Sequence, residues 1–163
     1  MASQPYAFRP MTAADLAGVR RWLEKPHVAK WWGDPDEQFV LVSGDLDHPS
    51  MDQFIVERDA YPFGYLQCYD PAAWPNHGFG ELPNGTRGID QFIGETDMID
   101  HGHGSALIRA FVDELLTAGT PQVVADPDPA NRRAIRAYEK AGFRKKRPVT
   151  TPDGSALLMV RDQ

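Results

Sequence analysis

Residues 122–143 constrain the fold more than any other stretch of the chain. Gln122-Val123-Val124-Ala125 reads as a short buried strand. Asp126-Pro127-Asp128-Pro129 follows as a rigid turn, because each proline fixes φ and removes a backbone donor. Asn131 then opens a helix as its N-cap, where a side-chain oxygen can accept one of the orphan N–H groups of the first turn. Ile135 and Tyr138 fall on one helical face, and Gly142 closes the helix as its C′ residue. Phe143 begins a strand that runs to Val149. Strand, helix and strand packed this tightly require a sheet with helices laid on it.

The flanking sequence extends the same pattern. Tyr6-Ala7-Phe8-Arg9-Pro10 reads as a first strand, and Thr12-Ala13-Ala14-Asp15 as an N-cap with an acid at N3. A helix follows through Leu16, Val19, Arg20 and Leu23, and Pro26 ends it near Glu24. A short helical piece covers His27-Val28-Ala29-Lys30 and stops at Trp31-Trp32-Gly33-Asp34-Pro35. Residues 36–51 show no readable period. Residues 53–58 and 63–69 read as a hairpin around Asp59-Ala60-Tyr61-Pro62, residues 70–86 as a long surface loop, and residues 87–93 as the next strand. The clearest helix follows His101-Gly102-His103-Gly104-Ser105, with Ala106, Leu107, Ala110, Phe111, Glu114 and Leu115 at a 3.6 period and Gly119 as its stop. Thr151-Pro152-Asp153-Gly154 turns the chain into a last strand, Leu157-Leu158-Met159-Val160. The order is that of an α/β (α+β) protein with a mixed sheet and helices on its faces.

Size and charge bound the function classes. A chain of 163 residues, 42% hydrophobic and 25% charged, fits one domain spanning 1–163. No apolar run approaches the roughly 18 residues of a membrane helix. Met1-Ala2-Ser3-Gln4-Pro5 has neither a charged n-region nor an apolar h-region, so no signal peptide is expected and the cytoplasm is the expected compartment. The net charge of −6 argues against nucleic acid and anionic membrane as partners and is compatible with a cationic small molecule. Cys68, the single cysteine, excludes an internal disulfide and a Cys-rich zinc site, and reads as a small buried hydrophobe. No exposed seam for self-association is readable, so the sequence fixes no oligomeric state and is compatible with a monomer.

Gly102-x-Gly104 sits between a strand and a helix. Paired glycines let backbone curl around an anion, and a helix N-terminus faces it with N–H groups. No Gly-Lys-Ser/Thr follows, so this is no Walker loop, and the spacing lacks the third glycine of a dinucleotide fingerprint. By itself the pair reads first as a tight turn. His101 and His103 have no further His or carboxylate one helical turn along, so no metal site is expected.

The run Asn131-x-x-Ala134-Ile135-x-x-Tyr138-Glu139-Lys140-Ala141-Gly142-Phe143, with a glycine loop opening the preceding helix, resembles the acyl-CoA-dependent GNAT N-acyltransferases. The resemblance narrows with His27-Val28-x-x-Trp31-Trp32-Gly33, Gly64-Tyr65, Arg87-Gly88-Ile89-Asp90-Gln91, Asp126-Pro127-x-Pro129 and Val149-Thr150-Thr151-Pro152-Asp153-Gly154. As an ordered set these motifs are similar to those of aminoglycoside 6′-N-acetyltransferases, from about residue 8 to residue 160.

The resemblance implies a mostly antiparallel central sheet splayed between two central strands, with helices on both faces and the pantetheine arm of acetyl-CoA in the gap. It implies that the loop from Ile99 through His101, Gly102, His103, Gly104 and Ser105 holds the pyrophosphate and that Asn131 lies along the cofactor arm. The family pattern Gln/Arg-x-x-Gly-x-Gly/Ala has Ile99 at its first position here, which removes a side-chain phosphate contact and leaves the backbone N–H groups. Tyr138 matches the tyrosine near the thioester sulfur, a general acid toward the departing thiolate. Backbone N–H near Phe92 and Ile93 is a candidate oxyanion donor. Asp90 and Asp126 match acids of the amine pocket, Asp90 as the group that takes the amine proton and Asp126 for binding and orientation.

Other residues can be placed around that pocket. Adjacent Trp31 and Trp32 cannot face the same way, so one of them is a candidate wall for a sugar ring. Tyr65, Glu81 and Asp70 are further candidates for the rim. Arg144-Lys145-Lys146-Arg147 reads as a solvated face and, second, as an attractor for the 3′-phosphate of CoA. The implied activity is direct acetyl transfer from acetyl-CoA to a 6′-amine in a ternary complex. Two rivals are acylation of a hydroxylated lysine in siderophore synthesis, and a non-catalytic module that binds acyl-CoA or a cationic drug.

Overall fold

A computed structural model describes residues 5–162; the opening residues 1–4, on which the reading of no signal peptide rests, lie outside the described residues. The strands are Tyr6–Pro10 (β1), Met51–Arg58 (β2), Tyr61–Tyr69 (β3), Arg87–Ile93 (β4), Gln122–Ala125 (β5), Arg144–Thr151 (β6) and Gly154–Asp162 (β7). They form one sheet in the order β1-β2-β3-β4-β5-β7-β6. The helices are Leu16–Leu23 (α1), Pro26–Trp32 (α2), Pro35–Gly44 (α3), His103–Thr117 (α4) and Arg132–Lys140 (α5).

The sheet is mixed, as the order of elements predicts. β1 runs antiparallel to β2, and β7 runs antiparallel to both β5 and β6. β4 and β5 are parallel, and their ladder consists of Arg87↔Val123 and Gly88↔Val124. Beyond Gly88 the ladder stops, although β4 continues to Ile93 and β5 to Ala125. That short ladder agrees with the splay that the resemblance implies.

Among the described residues the chain divides into two compact units: residues up to Gln67 with Gln91–His101, and Cys68–Asp90 with residues from Gly102 on. In the first unit, α1 and α2 bury Val19, Trp22, Leu23 and Val28 against Ile55, Tyr65 and Phe92. The carboxylate of Asp15 takes the Thr12 N–H at 2.9 Å in a capping box on the 3₁₀ turn Ala13–Asp15 that leads into α1, and also pairs with Arg9 at 2.9 Å. In the second unit, Phe79 from the long loop packs on Val124, Leu158 and Val160. The loop is therefore anchored: Arg147 donates to the Phe79 carbonyl, and His77 stacks on the Phe79 ring.

Three differences from the sequence reading have local causes. Residues 36–51, unreadable by period, contain α3, whose N-cap Asp34 accepts from the Glu37 N–H at 3.0 Å with Pro35 in the first turn. The β2–β3 turn is only Asp59-Ala60, both at positive φ, so Tyr61 and Pro62 already belong to β3. α4 starts at His103, not after Ser105, because Gly102 takes the left-handed N-cap conformation at φ 79° and the glycine pair is split between cap and first turn.

Candidate active site

Four side chains of the second unit interact electrostatically: Tyr69 at the end of β3, Asp90 on β4, Asp126 just past β5, and Tyr138 on α5. The β4–β5 ladder ends at Gly88↔Val124, and Asp90 and Asp126 each lie two residues beyond that last rung. Their side chains are hydrogen-bonded to each other. Burial, and then the negative charge of Asp90 with a further contribution from Asp153, pushes the Asp126 carboxyl up to about 8. Burial also drives the Tyr69 phenol well above its ordinary range, reinforced by Asp90, Asp126, Tyr138 and Cys68. Tyr69 therefore stays a neutral O–H donor at working pH.

Backbone shape makes room for this cluster. A side chain at Gly88 would put a Cβ 2.7 Å from the Tyr69 hydroxyl oxygen, so glycine lets the Tyr69 ring lie across β4. Trp74 packs edge-on against the same ring at 5.6 Å. Tyr138 is buried on α5, and its ring meets Phe143 at 5.2 Å just past Gly142. Asn131 caps α5 by accepting from the Ala134 N–H at 3.2 Å, which leaves its amide nitrogen as the group that can still donate.

The N-terminus of α4 lies in the same unit. No side chain caps it, and a Cβ on Gly102 would meet nothing within 4 Å, so the turn needs glycine for its φ and not for space. Gly104 and Ser105 lie in the first turn, where Ser105 Oγ donates to the Gly102 carbonyl at 3.4 Å; His103 is buried. Ile99 and His101 end the first unit, Ile99 partly buried and His101 exposed. A helix end with these features offers backbone N–H groups and a positive dipole end to an anion.

The remaining sequence-predicted residues fall elsewhere. In the first unit Trp32 is packed edge-on against Phe92 at 5.0 Å and against Tyr65 at 6.1 Å. Trp31 is the exposed member of the pair, with Lys30 Nζ over its ring at 5.0 Å. Tyr65 stands in the core and not on a rim: it is fully buried, accepts from Gln53 Nε2 at 3.0 Å and donates to Gln67 Oε1 at 2.8 Å. The Ile93 carbonyl lies 2.9 Å from His27 Nε2. Glu81 is exposed in the long loop, and Asp70 caps the 3₁₀ turn Pro71–Ala73, accepting from the Ala72 N–H at 3.0 Å. Cys68 is buried, with Arg87 Nε donating to its sulfur at 3.3 Å. Residues 144–147 are exposed, and Arg144 pairs with Asp162 at 3.0 Å.

Sequence reasoning missed Tyr69. The available signal was its place in the alternation Tyr65, Gln67, Tyr69, with Gly88 and Asp90 as neighbours in the following strand. A lone aromatic at a strand end does not reveal that the next strand carries acids at the same level.

Comparison with known proteins identifies the family. The family model described as "Acetyltransferase (GNAT) domain" matches residues 11–151. The aminoglycoside N(6′)-acetyltransferase type 1 of Klebsiella pneumoniae is 38% identical over 163 aligned residues, covering 94% of this chain and 81% of that protein. A kanamycin resistance protein of Rhizobium radiobacter is 45% identical over 82 residues, covering 50% of this chain and 76% of that protein. The crystal structure of aminoglycoside acetyltransferase AAC(6′)-Ib in complex with coenzyme A and kanamycin superposes with a TM-score of 0.85 at 35% identity, covering 97% of this chain and 95% of that one. The chain therefore belongs to the GNAT acetyltransferase family and is similar over most of its length to aminoglycoside 6′-N-acetyltransferases.

Proposed function

We propose that the protein transfers acetyl from acetyl-CoA to the 6′-amino group of aminoglycosides by direct attack in a ternary complex. The observation that carries this reading is the Asp90–Asp126 pair beside Tyr69 and Tyr138, in the unit that also bears the uncapped N-terminus of α4. The activities named for the relatives, and the coenzyme A and kanamycin bound in the superposed structure, support it.

The residues present fit acetyl-CoA. First-turn N–H groups at Gly104 and Ser105, beside Gly102 and His103, suit a pyrophosphate, with Ile99 and His101 flanking the turn. The Asn131 amide nitrogen can donate to the pantetheine arm. When bound, acetyl-CoA supplies the thioester carbon that the amine attacks. The chain's own groups manage the protons. An aminoglycoside amine arrives as an ammonium, which cannot attack, so a carboxylate must first take a proton. Asp90 fills that role, with Asp126 holding and orienting the amine. Tyr138 supplies a proton to the thiolate, an aid of roughly 10²–10⁴-fold, modest because a thiol with a reference pKa of about 8.5 already leaves well. Backbone N–H at Phe92 and Ile93 is assigned to the developing oxyanion. Trp31 and Trp32, with Tyr65 behind Trp32, and Glu81 complete the assignment on the sugar side. The reaction is set in the cytoplasm, where acetyl-CoA is available; among the described residues no helix is long and apolar enough to cross a membrane.

A thiol-release assay across amine classes tests the reading. Aminoglycosides are expected to turn over with acetyl-CoA. Turnover confined to hydroxylysine-type amines with longer acyl-CoA points to siderophore acylation, and binding of both ligands without thiol release points to a non-catalytic module. Asp90→Asn is expected to lower kcat far more than acetyl-CoA affinity.

A further inference from the structure

Positive charge is concentrated in one stretch of this acidic chain. Residues 132–147 hold eight of its 17 Lys and Arg and one acid, Glu139, a balance of +7. The other nine Lys and Arg stand against 22 acids, so the rest of the chain carries −13. Some of the eight cations are engaged within the protein: Arg144 pairs with Asp162, and Arg147 donates to the Phe79 carbonyl. Arg132, Arg136 and Lys145 are not; among the described residues none of the three has a hydrogen-bond or ion-pair partner for its side chain. These same three line one recess of about 300 Å³, with Pro129, Ile135 and Glu139.

Two local devices bring the three cations together. On α5, Arg132, Arg136 and Glu139 stand at i, i+4 and i+7, which makes one stripe. Asn131 and Tyr138 make another, about 100° around the helix. On β6 the ladder slips between Lys145 and Arg147, with Lys145 paired to Met159 and Arg147 to Leu158. Met159 and Leu158 are neighbours on β7 and point to opposite faces, so the bulge separates Lys145 from Arg147 by face. A regular strand would keep the two on one face.

We propose that the recess between α5 and β6 binds the phosphate group of a small molecule such as a nucleotide. The proposal goes beyond the acetyl-transfer reading and does not rest on it. Three cations against Glu139 leave the recess at +2, and their mutual repulsion is relieved by an anion. The planar guanidinium forks of Arg132 and Arg136 match phosphate oxygens, and Lys145 adds a compact charge. Pro129 and the buried Ile135 give an apolar floor for the body of the ligand. The volume lies at the lower end of the roughly 300–1,000 Å³ of small-molecule sites. A long polyanion or an anionic membrane would extend past the recess toward a protein that is otherwise at −13, and a small ligand would not. A free nucleotide and the 3′-phosphate end of bound CoA are two sources of the same group.

NMR titration that follows the Nε–H signals of Arg132 and Arg136 tests the site and separates the sources. Adenosine monophosphate, CoA and dephospho-CoA are titrated separately into the protein, and adenosine monophosphate again into protein holding CoA. Saturable shifts with adenosine monophosphate that persist in the presence of CoA assign the recess to a separate ligand. Shifts with CoA that dephospho-CoA does not produce assign it to the 3′-phosphate of the donor. Lys145→Gln leaves both reporting signals in place and is expected to weaken whichever nucleotide binds by roughly three- to tenfold. Equal affinity in Lys145→Gln overturns the proposal. So does a titration in which adenosine monophosphate shifts nothing and CoA acts no differently from dephospho-CoA. A response confined to a single-stranded RNA oligomer also overturns it, in favour of a nucleic-acid surface.

Discussion

Asp126 is the residue at which the needs of the site oppose those of the fold. Its carboxyl is raised to about 8 in the folded protein by burial and by Asp90, against an ordinary value near 4 when unfolded. Between those values the folded state binds the extra proton, so stability falls as pH rises, with a slope of at most about 1.4 kcal/mol per pH unit. Asp126→Asn removes that slope. Thermal melts are expected to show the variant gaining on the wild type by at least about 1 kcal/mol at pH 8 and by nothing near pH 4. Gly88 provides a second check at this scale. A Cβ there would press on Tyr69, so Gly88→Ala is expected to cost about 1–3 kcal/mol of stability and to lower kcat beyond what Tyr69→Phe does. Comparing melts and turnover for the two variants separates displacement of the ring from loss of its hydroxyl. Asp90, Asp126 and Tyr138 were legible as candidate site residues because they stand in motifs. Tyr69 was not, since which face of β3 meets β4 is a property of the sheet. Tyr65 was assigned to a rim and lies in a core, for the same reason.

Elements with punctuation were easy to read, and elements without it were not. α1, α4 and α5 end at proline or glycine positions, and β4 and β5 span the predicted residues. α3 went unseen because Phe39, Val40, Leu41 and Val42 run together; only Val42 is buried, while Val40 and Leu41 stand on the surface. Its capping signal, Asp34-Pro35 followed by Asp36 and Glu37, was present but had no period to attach to. The α4 N-terminus carries the prediction proper to this scale. Gly102 adopts φ 79° with open space around it, so Gly102→Ala meets backbone strain alone, about 1–2 kcal/mol. Acetyl-CoA affinity is expected to drop severalfold while the aminoglycoside KM changes little, as titration with each ligand separately will show. Parallel losses for both ligands would place the helix end away from the donor.

At the scale of the whole molecule, a net charge of −6 attracts a polycationic acceptor, and added salt screens that attraction. Aminoglycoside KM is expected to rise with ionic strength between 0.05 and 0.5 M, roughly tenfold for a ligand with several positive charges, while kcat stays nearly constant. Constant KM would mean that local contacts alone hold the acceptor. The sequence carried the seven-strand order and the family. It did not carry the influence of Asp90 and Asp126 on Tyr69, because which faces of neighbouring strands share a site is set by packing that no single strand encodes. The most direct measurement of the central claim is to incubate the protein with acetyl-CoA and kanamycin and to read the product by mass spectrometry and proton NMR. The account requires one added acetyl, on the 6′ nitrogen, with one thiol released per product. Acetylation at another nitrogen, or acetyl-CoA consumed with no acetylated aminoglycoside, would contradict it.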